Sequence, residues 1–280
     1  MKRIIPLICL LGAPACAPAQ TEAITAITNA RLALQREEPE KALELAQKAV
    51  KLAPKDKDAL FVRGEAYSAL RKHKEAIADY SAVLKIDPKF DVALDRRGGE
   101  HFKAANIKES IRDFEAYLEK NPDDFPRHWR YGIACYYADR FKDGAKQFKA
   151  GEVVFGSDVE NVFWHYLCNV KVMGVEKARA AMLEIPEGQK DTRIPMMEIY
   201  KLIQGKSTAE KVIAKAADKD LPERGKRERM FYAHLYVGLN YAGLGEEKKA
   251  LEHLKKADEL QISHYMWDVG HVHLALAEKK

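Results

Sequence analysis

Three prolines, Pro54, Pro88 and Pro122, stand 34 positions apart, and the residues between them repeat. A beat of this length constrains the fold more than any other feature. Each unit is too small to bury its own apolar face, so neighbours must stack to cover one another. The best-marked unit runs from Lys57 to Pro88, with Leu60, Gly64, Tyr67, Ala76 and Tyr80 at fixed offsets. The next unit fills those offsets with Leu94, Gly98, Phe114 and Pro122, and departs at His101 and Ser110. The preceding unit is alanine-rich, with Ala26, Ala30, Ala33, Ala42, Ala46 and Ala49 before Pro54. A fourth keeps register through Gly132, Phe148 and Gly156 but has no closing proline. Near the C-terminus Gly238, Tyr241, Ala250, Leu254 and Ala257 return at matching offsets.

The slots have physical reasons. Glycine and alanine let two helices of a hairpin approach closely. Aromatic rings fill the gaps between them. Proline follows the second helix because it cannot continue it. The pattern resembles the tetratricopeptide repeat (TPR), which implies an all-α solenoid of helical hairpins with a C-terminal capping helix. It also implies a binding surface in place of a reaction vessel. No run alternates long enough for a strand.

The beat fails between the fourth unit and the C-terminal one. Val159 to Met173 reads as a helix and Gly174 breaks it, with a short return helix from Glu176 to Glu184. Ile194 to Ile203 and Thr208 to Ala217 read as a second short hairpin around Gly205, with Ser207 as N-cap and Glu210 three residues on. Asp218 to Arg229 is charged, holds Pro222 and Gly225, and reads as an exposed connection. Tyr265, Val269, Val272 and Leu276 form one stripe on a last helix. The expected organisation is a signal segment at 1–19, an array of about four repeats at 20–156, irregular hairpins at 157–222, and a C-terminal repeat with its capping helix at 223–280.

The first residues read as a targeting segment. Lys2 and Arg3 precede the apolar Ile4 to Leu11, and Ala17-Pro18-Ala19 offers small residues before Gln20. This is the order of a signal peptide, too short for a stable membrane span. Two mature N-termini fit: Gln20, or a lipid-bearing Cys16 in the manner of bacterial lipoproteins. Ala13 stands where lipoproteins usually carry a larger apolar residue. Export to the periplasm or cell envelope is expected either way, with the membrane reached only through a lipid anchor.

The formal charge of +5 is mild and interspersed, so it gives no concentrated basic face for nucleic acid. Beyond the leader, the cysteines are Cys135 and Cys168. They occupy near-equivalent positions of successive hairpins, whose helices pack about 8–10 Å apart, and two buried free thiols are expected. His271 and His273 lie two apart, the wrong spacing for two ligands on one helical face. Without a metal motif, phosphate loop or nucleophile signature, no catalytic, cofactor or metal site is expected. Arg63 and Asp79 occupy the same two slots as Arg97 and Asp113, which predicts an ion pair tying the helices of each hairpin.

In a TPR array the first helix of each hairpin lines the concave face. That places Phe61, Phe102, Trp129, Ile133, Tyr136 and Tyr137 in a groove able to grip an extended peptide, with Glu65 and Asp95 among them. Packing against the next hairpin is the alternative for each. Arg96 and Arg130 share the slot where clamp-type TPR domains hold a cation for a peptide carboxylate; the clamp's asparagines are absent here.

Two stretches, "VFWHYLCNVKVMGVEKARAAML" and "PMMEIYKLIQGKSTAEKVI", are followed by "FYAHLYVGLNYAGLGEEKKALEHLKKA" and a last helix near His264. In order and local wording the chain resembles the NlpI family of bacterial envelope TPR lipoproteins. The resemblance implies a homodimeric adaptor that brings cell-wall hydrolases together with a protease. Two other readings stand beside it: a small-ligand carrier whose pocket is closed by 157–222, and a dimeric envelope spacer.

Overall fold

The computed structural model describes residues 18–217 and 220–278, all helices, turns and loops, with no strand among them. Cys16 and the rest of 1–17 lie outside the described residues. The chain divides into two compact units after Pro88. The first holds two hairpins, α1 (Pro18–Gln35) with α2 (Pro39–Leu52) and α3 (Lys57–Ala69) with α4 (His73–Ile86). Its core is mostly alanine: Ala26, Ala30, Ala46, Ala49 and Ala59 are buried together with Ile27 and Val62.

The second unit begins with α5 (Val92–Lys103) and α6 (Ile107–Lys120). A 3-10 turn at Pro122–Arg127 leads to the short α7 (Trp129–Tyr137) and α8 (Phe141–Gly151). Then come α9 (Val159–Met173), α10 (Val175–Ala180), α11 (Met196–Ile203), α12 (Ala209–Ala216), α13 (Glu223–Gly243), α14 (Glu247–Glu259) and α15 (Tyr265–Ala277). Helix α9 is buried at Val159 and from Asn161 to Val170, including the polar Asn161, His165 and Asn169. It touches α7, α8, α10, α11 and α13, while α15 returns to lie against α5.

The 34-residue beat recurs in the backbone itself. Glu37, Arg71, Ala105 and Asp139 have φ of 59°, 56°, 58° and 56°, and each sits in the turn between two helices of a hairpin. The residue after each donates its amide five residues back, as Lys72 does to the Tyr67 carbonyl (2.8 Å) and Asn106 to that of His101 (2.8 Å). This bond closes the first helix in a Schellman turn. Gly245 takes the same place in the C-terminal hairpin, with φ of 80° and nothing within 4 Å of where a Cβ would stand. Gly245→Ala is therefore expected to cost about 1 kcal/mol through backbone strain alone. Unchanged thermal melting would contradict a left-handed turn there.

Close approach is just as regular. A Cβ on Gly64, Gly98 or Gly132 would stand 2.8, 2.7 and 2.7 Å from the rings of Tyr80, Phe114 and Phe148. Gly64→Leu is expected to destabilise by about 1–3 kcal/mol through overpacking, and parental melting would refute the repeat register. Beside the first two contacts lies the expected ion pair. Arg63 donates to Asp79 through Nε (2.8 Å) and Nη2 (2.6 Å), and Arg97 to Asp113 through the same atoms (2.6 and 2.8 Å). In the fourth hairpin these slots hold Tyr131 and Gln147; there Tyr131 donates to Glu115 and Gln147 to the Phe125 carbonyl.

Two local expectations are corrected. The cap of α12 is Thr208, whose hydroxyl accepts from the Lys211 amide, while Ser207 donates to Glu198. And 223–229 is not a connection: α13 starts at Glu223, directly after Pro222, and carries an i,i+4 pair between Arg224 and Glu228 (3.0 Å). Proline just ahead of a helix leaves no amide that the helix needs.

Candidate partner-binding site

The expected groove in the second unit is filled by the chain's own last helix. Tyr265 of α15 stacks on Phe102 (ring centroids 5.7 Å apart) and meets Trp129 edge-on at 5.1 Å. Farther along, Tyr137 packs edge-on against Phe102 and His273, and its hydroxyl lies 3.2 Å from His273 Nδ1. Phe102 and Ile133 are buried, and so is Tyr136, which is ringed by Tyr137, Phe141 and Trp164. The expectation of an open face is corrected at these positions: α15 covers Phe102, and rings of α7, α8 and α9 enclose Tyr136. Trp129 and Tyr137 keep part of their surface in solvent. Phe61, in the first unit, is buried against Tyr80.

The cations of the expected carboxylate clamp are arranged around an internal acid. Arg130 donates through Nη2 to both oxygens of Asp95 (2.8 and 2.7 Å), and His128 Nε2 lies 2.9 Å from Oδ1. Arg130 is thus already matched to a carboxylate of its own chain. Arg96 stands off at 3.9 Å from Asp95, with its side chain 45% exposed. Burial alone would raise the Asp95 carboxyl; the His128 hydrogen bond and the Arg130 charge overcome it and hold it at about 2, below the ordinary 3.8. A depressed carboxyl contributes stability that is complete above about pH 4 and is lost as pH falls through 2. Asp95→Asn is expected to remove on the order of 2 kcal/mol at pH 7 and to flatten the acid limb of unfolding between those values. An acid limb identical to the parent's would refute it.

A cleft of about 200 Å³ remains open at the start of α15. Trp129 and Ile133 of α7, Phe148 of α8 and Trp164 of α9 form its apolar walls. Asp158, Glu160 and Asn161 from the head of α9 give it a polar edge, with Phe155, His264 and Met266 completing it. Asp158 caps α9 by accepting from the Glu160 amide (2.7 Å). Arg193 donates to Asp158 and Asp191 (2.7 and 2.5 Å) and to Glu160, which also accepts from the Tyr236 hydroxyl. The residues from α9 and α15 escaped sequence reasoning because their meeting is long-range. The aromatic run Phe163-Trp164-His165-Tyr166 was the signal for α9.

The cysteines are free and buried, and burial pushes the Cys135 thiol up to about 12 and that of Cys168 higher still. His271 faces Asp258 (3.1 Å) and stacks on Trp267. No group of three or more His, Cys, Asp or Glu able to hold a metal occurs among the described residues. No helix among them is long and apolar enough to cross a membrane.

Residues 27–89 match the family model Tetratricopeptide repeat. The fold is all-α, built of TPR-like helical hairpins. It is similar to a tetratricopeptide repeat protein from Parabacteroides merdae, at 14% identity over 91% of this chain and 99% of that one, with a TM-score of 0.58. It is also similar to MamA, residues 41 to the end, from Desulfovibrio magneticus, at 20% identity over 59% of this chain and 92% of that one, TM-score 0.53. None of the curated proteins compared with the chain matches it. At these identities the likeness concerns the fold.

Proposed function

We propose that this protein is an exported scaffold of the cell envelope that binds other proteins and performs no chemistry itself. The observation that carries the binding role is the aromatic cleft left open beside α15 in an array of TPR-like hairpins. Aromatic walls of this kind anchor a partner's side chain, because burying rings against it removes large apolar area from water. The leader-like order of the first twenty residues supports export, and the likeness to NlpI in segment order supports an adaptor that joins hydrolases to a protease, either as monomer or as homodimer. Selection of a random peptide library on the purified protein tests the binding role. Selected peptides should lose affinity for a Trp129→Leu variant. Selection of nothing would refute the reading, and indifference to Trp129 would move the surface elsewhere. The N-terminus of protein from its native cell tests export: Gln20 or Cys16 is expected, and an intact Met1 would refute it.

One observation favours a second reading, a carrier of small ligands. Asp158, Glu160, Asn161 and Trp164, four of the ten residues that line the cleft, all come from the irregular segment 157–222.

A further inference from the structure

The cleft combines aromatic walls with unmatched acidity. Asp158 and Glu160 at the edge share a single guanidinium, that of Arg193, with Asp191 behind them, a cluster with two negative charges in excess. Trp164, 1% exposed, has an indole N–H with no acceptor. Each feature asks for a complement. Carboxylates call for a charged N–H donor, and indole faces attract a cation, the more so when it is desolvated. The indole N–H calls for a carbonyl oxygen, which a small cation lacks and a peptide carries beside every side chain.

We infer that the cleft is a pocket for a basic side chain of a bound protein, lysine or arginine, with the neighbouring peptide carbonyl as second contact. This rests on the protein-binding reading and names the chemistry of the partner. Phosphorylated or acidic segments would meet like charge at the edge and be turned away.

The test uses the full chain and the indole ¹H–¹⁵N signals of Trp129 and Trp164. The probe is acetyl-Ala-Lys-Ala-amide, with norleucine and glutamate versions and n-butylammonium as comparisons. The lysine peptide should shift both indoles, and the norleucine version should bind roughly tenfold more weakly. Asp158→Asn keeps a capping side chain and removes one charge, so it should weaken the lysine peptide and leave the norleucine one unchanged. Added salt should act the same way. Equal binding of lysine and norleucine peptides, or none by either, would overturn the inference. Equal binding of butylammonium and the lysine peptide would overturn the peptide contact. If library peptides lacking basic residues bind in a Trp129-dependent way, the scaffold reading stands and this inference falls.

Discussion

Tyr136→Ala should destabilise the second unit by about 3–5 kcal/mol, as deletion of a packed core aromatic does. The ring lies 5.4–5.5 Å from those of Tyr137, Phe141 and Trp164, all edge-on, and retains 7% of its surface. Removing it would open a void among three aromatics that have no smaller residue to collapse onto. Tyr136→Phe keeps the ring and should stay within about 1 kcal/mol of the parent. Denaturant unfolding of both variants checks this. A mild Tyr136→Ala would mean that the inner face of α7 is open in solution.

Arg97→Ala should cost about 3 kcal/mol. Its guanidinium donates two hydrogen bonds to Asp113, whose side chain is 2% exposed. Truncation would strand a carboxylate in the hairpin, and an uncompensated buried charge is far more costly than a broken surface pair. Replacing both partners removes the stranded charge. Arg97→Leu combined with Asp113→Leu should therefore be more stable than Arg97→Leu alone. The reverse order by thermal melting would show that the pair itself, not the desolvated acid, governs stability. The same chemistry at Arg63 and Asp79 should give the same order.

What was legible in the sequence was what recurs. The glycine of each hairpin, the ring that sits on it and the Arg–Asp pair are all set by local geometry within one helical hairpin, so spacing alone reveals them. Helix α9 was legible as a helix from the spacing of Val162, Phe163, Tyr166, Leu167 and Val170. The occupied groove was not. Phe102, Ile133 and Tyr136 carry the residue types of a peptide-binding face whether the peptide is foreign or is α15 of the same chain. Tyr265 and Phe102 stack across 163 positions of sequence, and no periodicity encodes that meeting. The cleft stayed hidden for the same reason, since α7, α8, α9 and the head of α15 each give it only a few residues.

The two interior sulfurs, Cys135 and Cys168, have one more use. Both lie in the 89–280 unit, protonated and out of contact with water, so a thiol reagent reaches them only when that unit opens. Their labelling rate under native conditions is a clock for that opening. It reads this unit separately from residues 18–88, which contain no cysteine. Binding of a partner, or loss of an aromatic contact with α15, would be recorded as a slower or faster clock without any added probe.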